Sequence, residues 1–200
     1  ALHPSMLHLV IRGDSDLHSI PDLRGRRVAL GPAGGTTVAF ARLILDAYGM
    51  TFDDIVPSFL SYSDGFSQLG DGNVDAAFAL AGIPTAAVLQ ARATQELRFI
   101  TLEPEVFEGI VEANPYYYTV TLPTSVYDTV TEPTVLAVDN ILVVSADESA
   151  DTVFNIVNAV YGNLDELRST NAIAEQINPE QSLSLPIPLH PGAARYFEQP

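Results

Sequence analysis

Apolar and polar positions change over in short blocks along the chain, and the period of each block predicts its element. "LHLVIR" at 7–12 reads as a strand, and the polar "GDSDLHSIPDLRG" after it as a connector punctuated by Pro21. "RRVAL" at 26–30 is a β-rich run that stops at Gly31. Over 37–48 the apolar residues Val38, Ala41, Leu45 and Tyr48 recur at helical spacing, flanked by Phe40 and Ile44. Gly49 is placed to end that helix, because glycine takes the left-handed conformation at little cost. "DIVPSFLS" at 54–61 predicts a strand, with Ser63 capping a short helix that Gly70 and Gly72 end. "VDAAFAL" at 74–80 predicts a buried strand, and Pro84 then occupies the first turn of a helix running on over 85–92. "LRFITL" at 97–102 reads as a strand, "PEVFEGIVEA" at 104–113 as a proline-opened helix and "YYYTVTL" at 116–122 as extended.

Strands and helices thus alternate, which argues for an α/β layer with a mostly parallel sheet. The rest of the chain changes character. "TVLAVDNILVVSA" at 134–146 reads as one long extended run. An amphipathic helix is expected over 147–163, with Val153, Phe154, Val157 and Val160 on one face, and a second over about 164–177. The tail "LSLPIPLHPGAARYFEQ" carries three prolines over 186–191 and is expected to stay extended until Gly192. No internal repeat stands out.

Composition narrows the function. The 200 residues include 25 Asp plus Glu against nine basic residues, for a formal net charge of −16. All nine are Arg. Such a surface repels phosphate backbones, so no nucleic-acid partner is expected. An acidic, lysine-free chain suits a salt-adapted or GC-rich source, and equally a solvated acidic face. Cysteine is absent, which removes disulfides, thiol nucleophiles and Cys-ligated metal sites. No apolar run is long enough to span a bilayer, and no signal peptide is visible. The chain starts at Ala1 rather than at Met, as a processed or excised piece would.

Candidate chemistry gathers at two glycine-containing turns. In "GPAGGTTVAF" a strand ends in glycines and feeds a helix, which exposes free backbone N–H groups and the positive end of the helix dipole. Such a turn holds a carboxylate or phosphate without a lysine, and Thr36 and Thr37 add hydroxyls. The plainer reading is a tight reversal of the chain. A Walker A loop is excluded by the missing Lys-Ser/Thr pair, and a dinucleotide fingerprint by the glycine spacing, so no nucleotide cofactor is expected. "FALAGIPTAAV" at 78–88 repeats the design. In a parallel sheet both helix starts, together with Ser61, Tyr62 and Ser63, lie at the strand carboxyl edge, where open α/β sheets bind ligands. His3, His8, His18 and His190 stand at neither metal-ligand nor triad spacing, and the carboxylates are scattered. Neither a catalytic set nor a metal site is expected, and His190 reads as structural.

On these residues a family resemblance becomes specific. The stretch from "LHLVIRGDSDLHSIPDLRGRRVALGPAGGTTVAFARLILDAYGM" resembles the middle of the TAXI-type solute receptors of TRAP transporters. "GNVDAAFALAGIPTAAV" is similar to that family's second cleft motif, and "LPIPLHPGAARYF" to its C-terminal signature. The resemblance implies a type II periplasmic-binding-protein fold: two α/β lobes that clamp a small anionic or polar solute and deliver it to membrane transporter subunits. It implies a periplasmic or extracellular location, and no enzyme. Residues 1–19 would end lobe one and make the first crossover, 20–119 would form lobe two, and 120–200 would cross back and complete lobe one. Ligand contacts carry over to Gly34, Gly35, Thr36, Thr37, Tyr62, Ser63, Phe78, Gly82, Pro84 and Thr85. Family members begin with lobe-one strands and a glycine-rich motif upstream of "LHLVIR". The resemblance therefore implies an incomplete first lobe, with uncovered apolar residues over 135–160 that favour self-association or pairing with an N-terminal segment. An enzyme or ligand sensor on the same two-lobed fold, and a lobe that no longer binds, remain the alternatives.

Overall fold

The computed structural model describes residues 1–185 and 187–199, which fall into two compact units. One unit comprises 5–138, the other 1–4 and 139–200. In the first, the strands are β1 (Pro4–Arg12), β2 (Arg27–Ala29), β3 (Val56–Ser58), β4 (Ala76–Ala81), β5 (Leu97–Phe99), β6 (Tyr117–Thr121) and β7 (Thr134–Asp139). Between them run α1 (Thr36–Ala47), α2 (Tyr62–Gly70), α3 (Ala86–Arg92), α4 (Pro104–Ala113) and α5 (Thr124–Tyr127). The strand order is β3-β2-β4-β1-β7-β6, with β5 also paired to β1. The β3-β2-β4 core is parallel, in register Val28↔Pro57 and Val28↔Ala76. β1 runs antiparallel to β4 and β5, and β6 antiparallel to β7.

The two-residue period of the strands divides the core between the faces of this sheet. Leu7, Leu9, Ile11, Val28, Ala76, Phe78 and Leu136 point to one face, where Phe40, Ile44 and Leu45 of α1 and Phe107 and Ile110 of α4 cover them. Met6, Val10, Ala29, Ala77, Ala79, Val135 and Ala137 point to the other, under Phe66 and Leu69 of α2, Val88 of α3 and Tyr127 of α5. A small residue at the end of β2 lets α2 approach closely: a Cβ at Gly65 would lie 3.2 Å from the Ala29 methyl. His8 belongs by its even number to this second face and is fully buried there.

The second unit holds α6 (Ala150–Tyr161), α7 (Leu164–Thr170) and α8 (Pro191–Phe197). α8 lies against α6 at Gly192, where a Cβ would meet the Ala150 carbonyl at 2.3 Å. The Tyr161 ring meets those of Tyr196 and Phe197 in tilted contacts, each with centroids 5.9 Å apart, and Arg195 pairs with Asp151 at 2.8 Å. Four consecutive apolar residues, Ile141, Leu142, Val143 and Val144, are exposed.

Several expected boundaries move, each for a local reason. Ser61, not Ser63, caps α2: its hydroxyl accepts from the Asp64 N–H at 3.1 Å. Pro84 precedes the α3 cap Thr85 instead of entering the first turn. The run at 134–146 is a strand only through Asp139; Asn140 still exchanges hydrogen bonds with Leu2 and His3, and 141–144 has no ladder among the described residues. α6 starts at Ala150 because the Ser149 hydroxyl accepts from the Thr152 N–H at 3.0 Å. The helix expected over 164–177 breaks at Asn171, whose side chain caps a 3-10 turn at Ala172–Gln176. The tail is not extended throughout: Pro179–Ser184 forms a 3-10 helix. Pro186, within that tail, lies outside the described residues.

Candidate functional site

Three parallel strands deliver three helix starts to one edge of the sheet. β2 feeds α1 through 31–35, β3 feeds α2 through Leu60 and Ser61, and β4 feeds α3 through 82–85. Because these strands are parallel neighbours, their carboxyl ends share that edge.

The first turn is shaped by Gly31 and Gly34, both at positive φ, +80° and +73°. At Gly31 more than φ demands glycine: a Cβ would lie 3.1 Å from a ring carbon of Tyr62 and 3.2 Å from Cβ of Thr37. Gly35 is the N-cap of α1, and no side chain caps that end. The first-turn amides of a twelve-residue helix are thus presented to the edge, with the positive end of its dipole behind them. Thr36 is exposed, and Thr37 only 2% so.

Tyr62 joins this turn to β4. Its hydroxyl lies 2.5 Å from Thr37 Oγ1, donates to the Leu80 carbonyl at 3.1 Å and accepts from the Leu80 N–H at 3.3 Å. A carbonyl only accepts, so the tyrosine proton goes to Leu80 and the Thr37 hydroxyl donates to Tyr62. Thr37 is therefore committed to holding Tyr62, which leaves the Thr36 hydroxyl as the open one.

The third turn is held from below. Thr85 Oγ1 donates to the Gly82 carbonyl at 2.8 Å, closing the turn on itself. The Thr85 N–H donates to the Tyr127 hydroxyl at 2.8 Å, and that hydroxyl lies 2.7 Å from His8 Nε2. His8 Nδ1 faces the Met6 carbonyl at 2.8 Å and must carry the ring proton there, so Nε2 accepts from Tyr127. Burial pushes the His8 imidazole down to about 4 and raises the Tyr127 phenol.

Of the ten residues expected to meet a ligand, Gly34, Gly35, Thr36, Thr37, Tyr62, Ser63, Gly82, Pro84 and Thr85 belong to these three turns. Phe78 does not: it sits inside β4, 1% exposed, packed in the core cluster that contains Phe40 and Ile44. Gly31 opens the glycine-rich turn that the sequence marks, outside the ten expected contacts. Two contributors have no such signal: Tyr127 lies 42 residues from Thr85, and His8 stands at neither metal-ligand nor catalytic spacing. No spacing rule connects such partners; only the alternation of β1 places His8 on the face under α3 and α5. His190 is structural, capping α8 by accepting from the Gly192 N–H at 3.1 Å. Among the described residues no cluster of His, Asp or Glu has the form of a metal site.

This architecture is that of the type II periplasmic-binding-protein class. The chain superimposes on the periplasmic aliphatic sulphonate binding protein SsuA from Escherichia coli with a TM-score of 0.51 and 15% identity, covering 98% of this chain and 55% of that one. The chain belongs to the NMT1-like family, whose model matches residues 1–199. Other solved relatives include the alkanesulfonate-binding protein SsuA from Xanthomonas axonopodis pv. citri bound to MOPS (14% identity, 98% of this chain and 58% of that one, TM-score 0.49). A substrate binding protein of an amino acid ABC transporter matches at 15% identity over 86% of this chain and 59% of that one, with a TM-score of 0.44. The chain thus spans a little over half the length of these solved relatives.

Proposed function

We propose that the chain is part of an extracytoplasmic solute-binding protein that captures a small anionic or polar solute for a membrane transporter, and that it is not an enzyme. The observation that carries this reading is the uncapped start of α1, tied through Tyr62 to β4 at the edge where three parallel strands end. Backbone amides, the Thr36 hydroxyl and a helix dipole suit a carboxylate or another oxyanion, and they supply neither nucleophile nor acid–base pair. An amino acid such as glutamate or glutamine, or another carboxylate, is the solute class we favour, delivered to a TRAP-type transporter as the resemblance to TAXI receptors implies. On the same reading 20–119 is lobe two, while 1–19 and 120–200 supply the crossovers and part of lobe one. The contacts are made by Gly34, Gly35, Thr36, Tyr62, Ser63, Gly82, Pro84 and Thr85, with Thr37 behind them.

Thermal unfolding of the 200-residue chain against L-glutamate, L-glutamine, short carboxylates and aliphatic sulfonates tests the reading. A solute that binds only the folded state stabilises it by about 2.7 kcal/mol at a hundred times Kd, and the midpoint rises further as its concentration is raised. Turnover of the solute would favour an enzyme on this fold instead, and a midpoint unmoved by any of them would favour a lobe that no longer binds.

A further inference from the structure

The buried pair His8 and Tyr127 lies behind the 82–85 turn and takes no part in the edge itself. His8 is 0% exposed, Tyr127 3% and Thr85 7%, so the three groups meet without competition from water. They form a chain of defined direction: the Thr85 N–H donates to the Tyr127 oxygen, and the Tyr127 O–H donates to His8 Nε2. The His8 Nδ1–H donates to the Met6 carbonyl and anchors the chain in β1. Thr85 is the N-cap of α3, where a threonine hydroxyl ordinarily accepts from the first-turn amides; here that hydroxyl donates to the Gly82 carbonyl and caps no helix amide, while the Thr85 N–H is bound by α5, from 42 residues away.

We propose that His8 and Tyr127 are positioning residues that fix the 82–85 turn of the ligand edge, with Tyr127 setting the place of Thr85 and His8 setting the orientation of the Tyr127 hydroxyl. The consequence for binding rests on the solute-binding reading above; the positioning does not. Removing the Tyr127 oxygen leaves the Thr85 N–H without its acceptor. It also leaves His8 Nε2 facing the Thr85 hydroxyl at 3.4 Å, the nearest remaining donor. That hydroxyl can serve His8 only by leaving Gly82, which opens the turn.

Amide hydrogen exchange of the 200-residue chain, followed by NMR, reads the turn without any ligand, and L-glutamate titration reads the edge. In Tyr127→Phe the Thr85 amide should exchange about tenfold faster or more, the factor expected for a buried donor losing its acceptor, while the Ala77 and Ala79 amides of β4 keep their rates. His8→Leu should reproduce this and His8→Gln, whose side-chain carbonyl offers an acceptor to Tyr127, should largely restore protection. Should His8→Leu fail to fold, Tyr127→Phe, which loses one atom, carries the test. L-glutamate should bind the Tyr127→Phe chain at least about fivefold more weakly than the parent. Thr85 exchange unchanged in Tyr127→Phe, or accelerated no more than that of Ala77 and Ala79, would overturn the proposal. Faster Thr85 exchange in a chain whose parent binds no L-glutamate supports the positioning and counts against the solute reading.

Discussion

Thr37 Oγ1 lies 2.5 Å from the Tyr62 hydroxyl, and that contact joins the first strand-to-helix turn to the end of β4. Two adjacent threonines thereby have different duties. Thr37, 2% exposed, donates inward, and Thr36 faces solvent. Thr37→Val should therefore cost about 1 kcal/mol of folding stability by freeing the Tyr62 hydroxyl, read by urea denaturation. Thr36→Val should change stability by less than about 0.5 kcal/mol and act on solute affinity alone. Equal stability losses in the two variants would contradict this division.

Gly31 is held to glycine by both backbone and neighbours. Its φ of +80° costs an L-residue about 1–2 kcal/mol, and a Cβ would press on Tyr62 and Thr37 at 3.1 and 3.2 Å. Gly31→Ala should destabilise the chain by at least that amount and displace Tyr62. Gly34→Ala shares the φ penalty but meets no atom within 4 Å, so it should cost less. Denaturant midpoints of the two variants side by side give the comparison.

Gly35 differs from both. At φ −76° its backbone suits any residue, yet a Cβ would sit 3.0 Å from the Pro32 carbonyl, beside the α1 amides. Gly35→Leu should leave the fold standing and abolish solute binding by shielding those amides. Unchanged affinity by calorimetry would show that the solute does not reach the α1 amides.

His8 gives the fold a pH dependence with a definite sign. Its folded pKa, about 4, lies below the ordinary imidazole value of 6.5 because burial disfavours the imidazolium. Between these values the unfolded chain binds the extra proton, so stability rises with pH over that window. The contribution is complete above about 6.5 and lost as pH falls toward 4, at most roughly 3 kcal/mol. Urea titrations at pH 7 and pH 4.5 should show this loss, and His8→Gln should flatten it.

How far the chain could be read from its sequence follows from the range of each interaction. α4 was legible to the residue, because Pro104 opens it and its apolar face repeats at helical spacing. The turns at 31–35 and 82–85 were legible because glycine, proline and threonine act locally. Tyr127 and His8 were not, since the bond from Tyr127 to Thr85 depends on how α5 packs across the sheet and leaves no local signature. Phe78 departs in the opposite direction: the resemblance puts it at the ligand, but it lies inside β4, where strand alternation sends its ring into the core. The break after Asp139 was hidden because β7 and 141–144 are equally apolar and differ only in whether a neighbouring strand pairs with them.

Val135 and Leu136 were expected to lie among the uncovered residues, yet they are 5% and 0% exposed, because β7 is flanked by β1 and β6. The uncovered residues are instead Ile141, Leu142, Val143 and Val144, exposed by 37, 56, 65 and 40%. Together with Ile156, Val157 and Val160 of α6 they line one apolar groove within the second unit. Burying a side chain of this kind contributes roughly 1.5–3 kcal/mol, so a contiguous group of them favours association over solvation. The 200-residue chain should therefore self-associate at micromolar concentration through this groove, unless an N-terminal segment supplied in trans occupies it. Leu142→Asp with Val143→Asp should shift sedimentation to the monomer at little cost in stability, because both side chains are more than half exposed already. A parent chain that sediments as a monomer across that range would show that the groove is tolerated open.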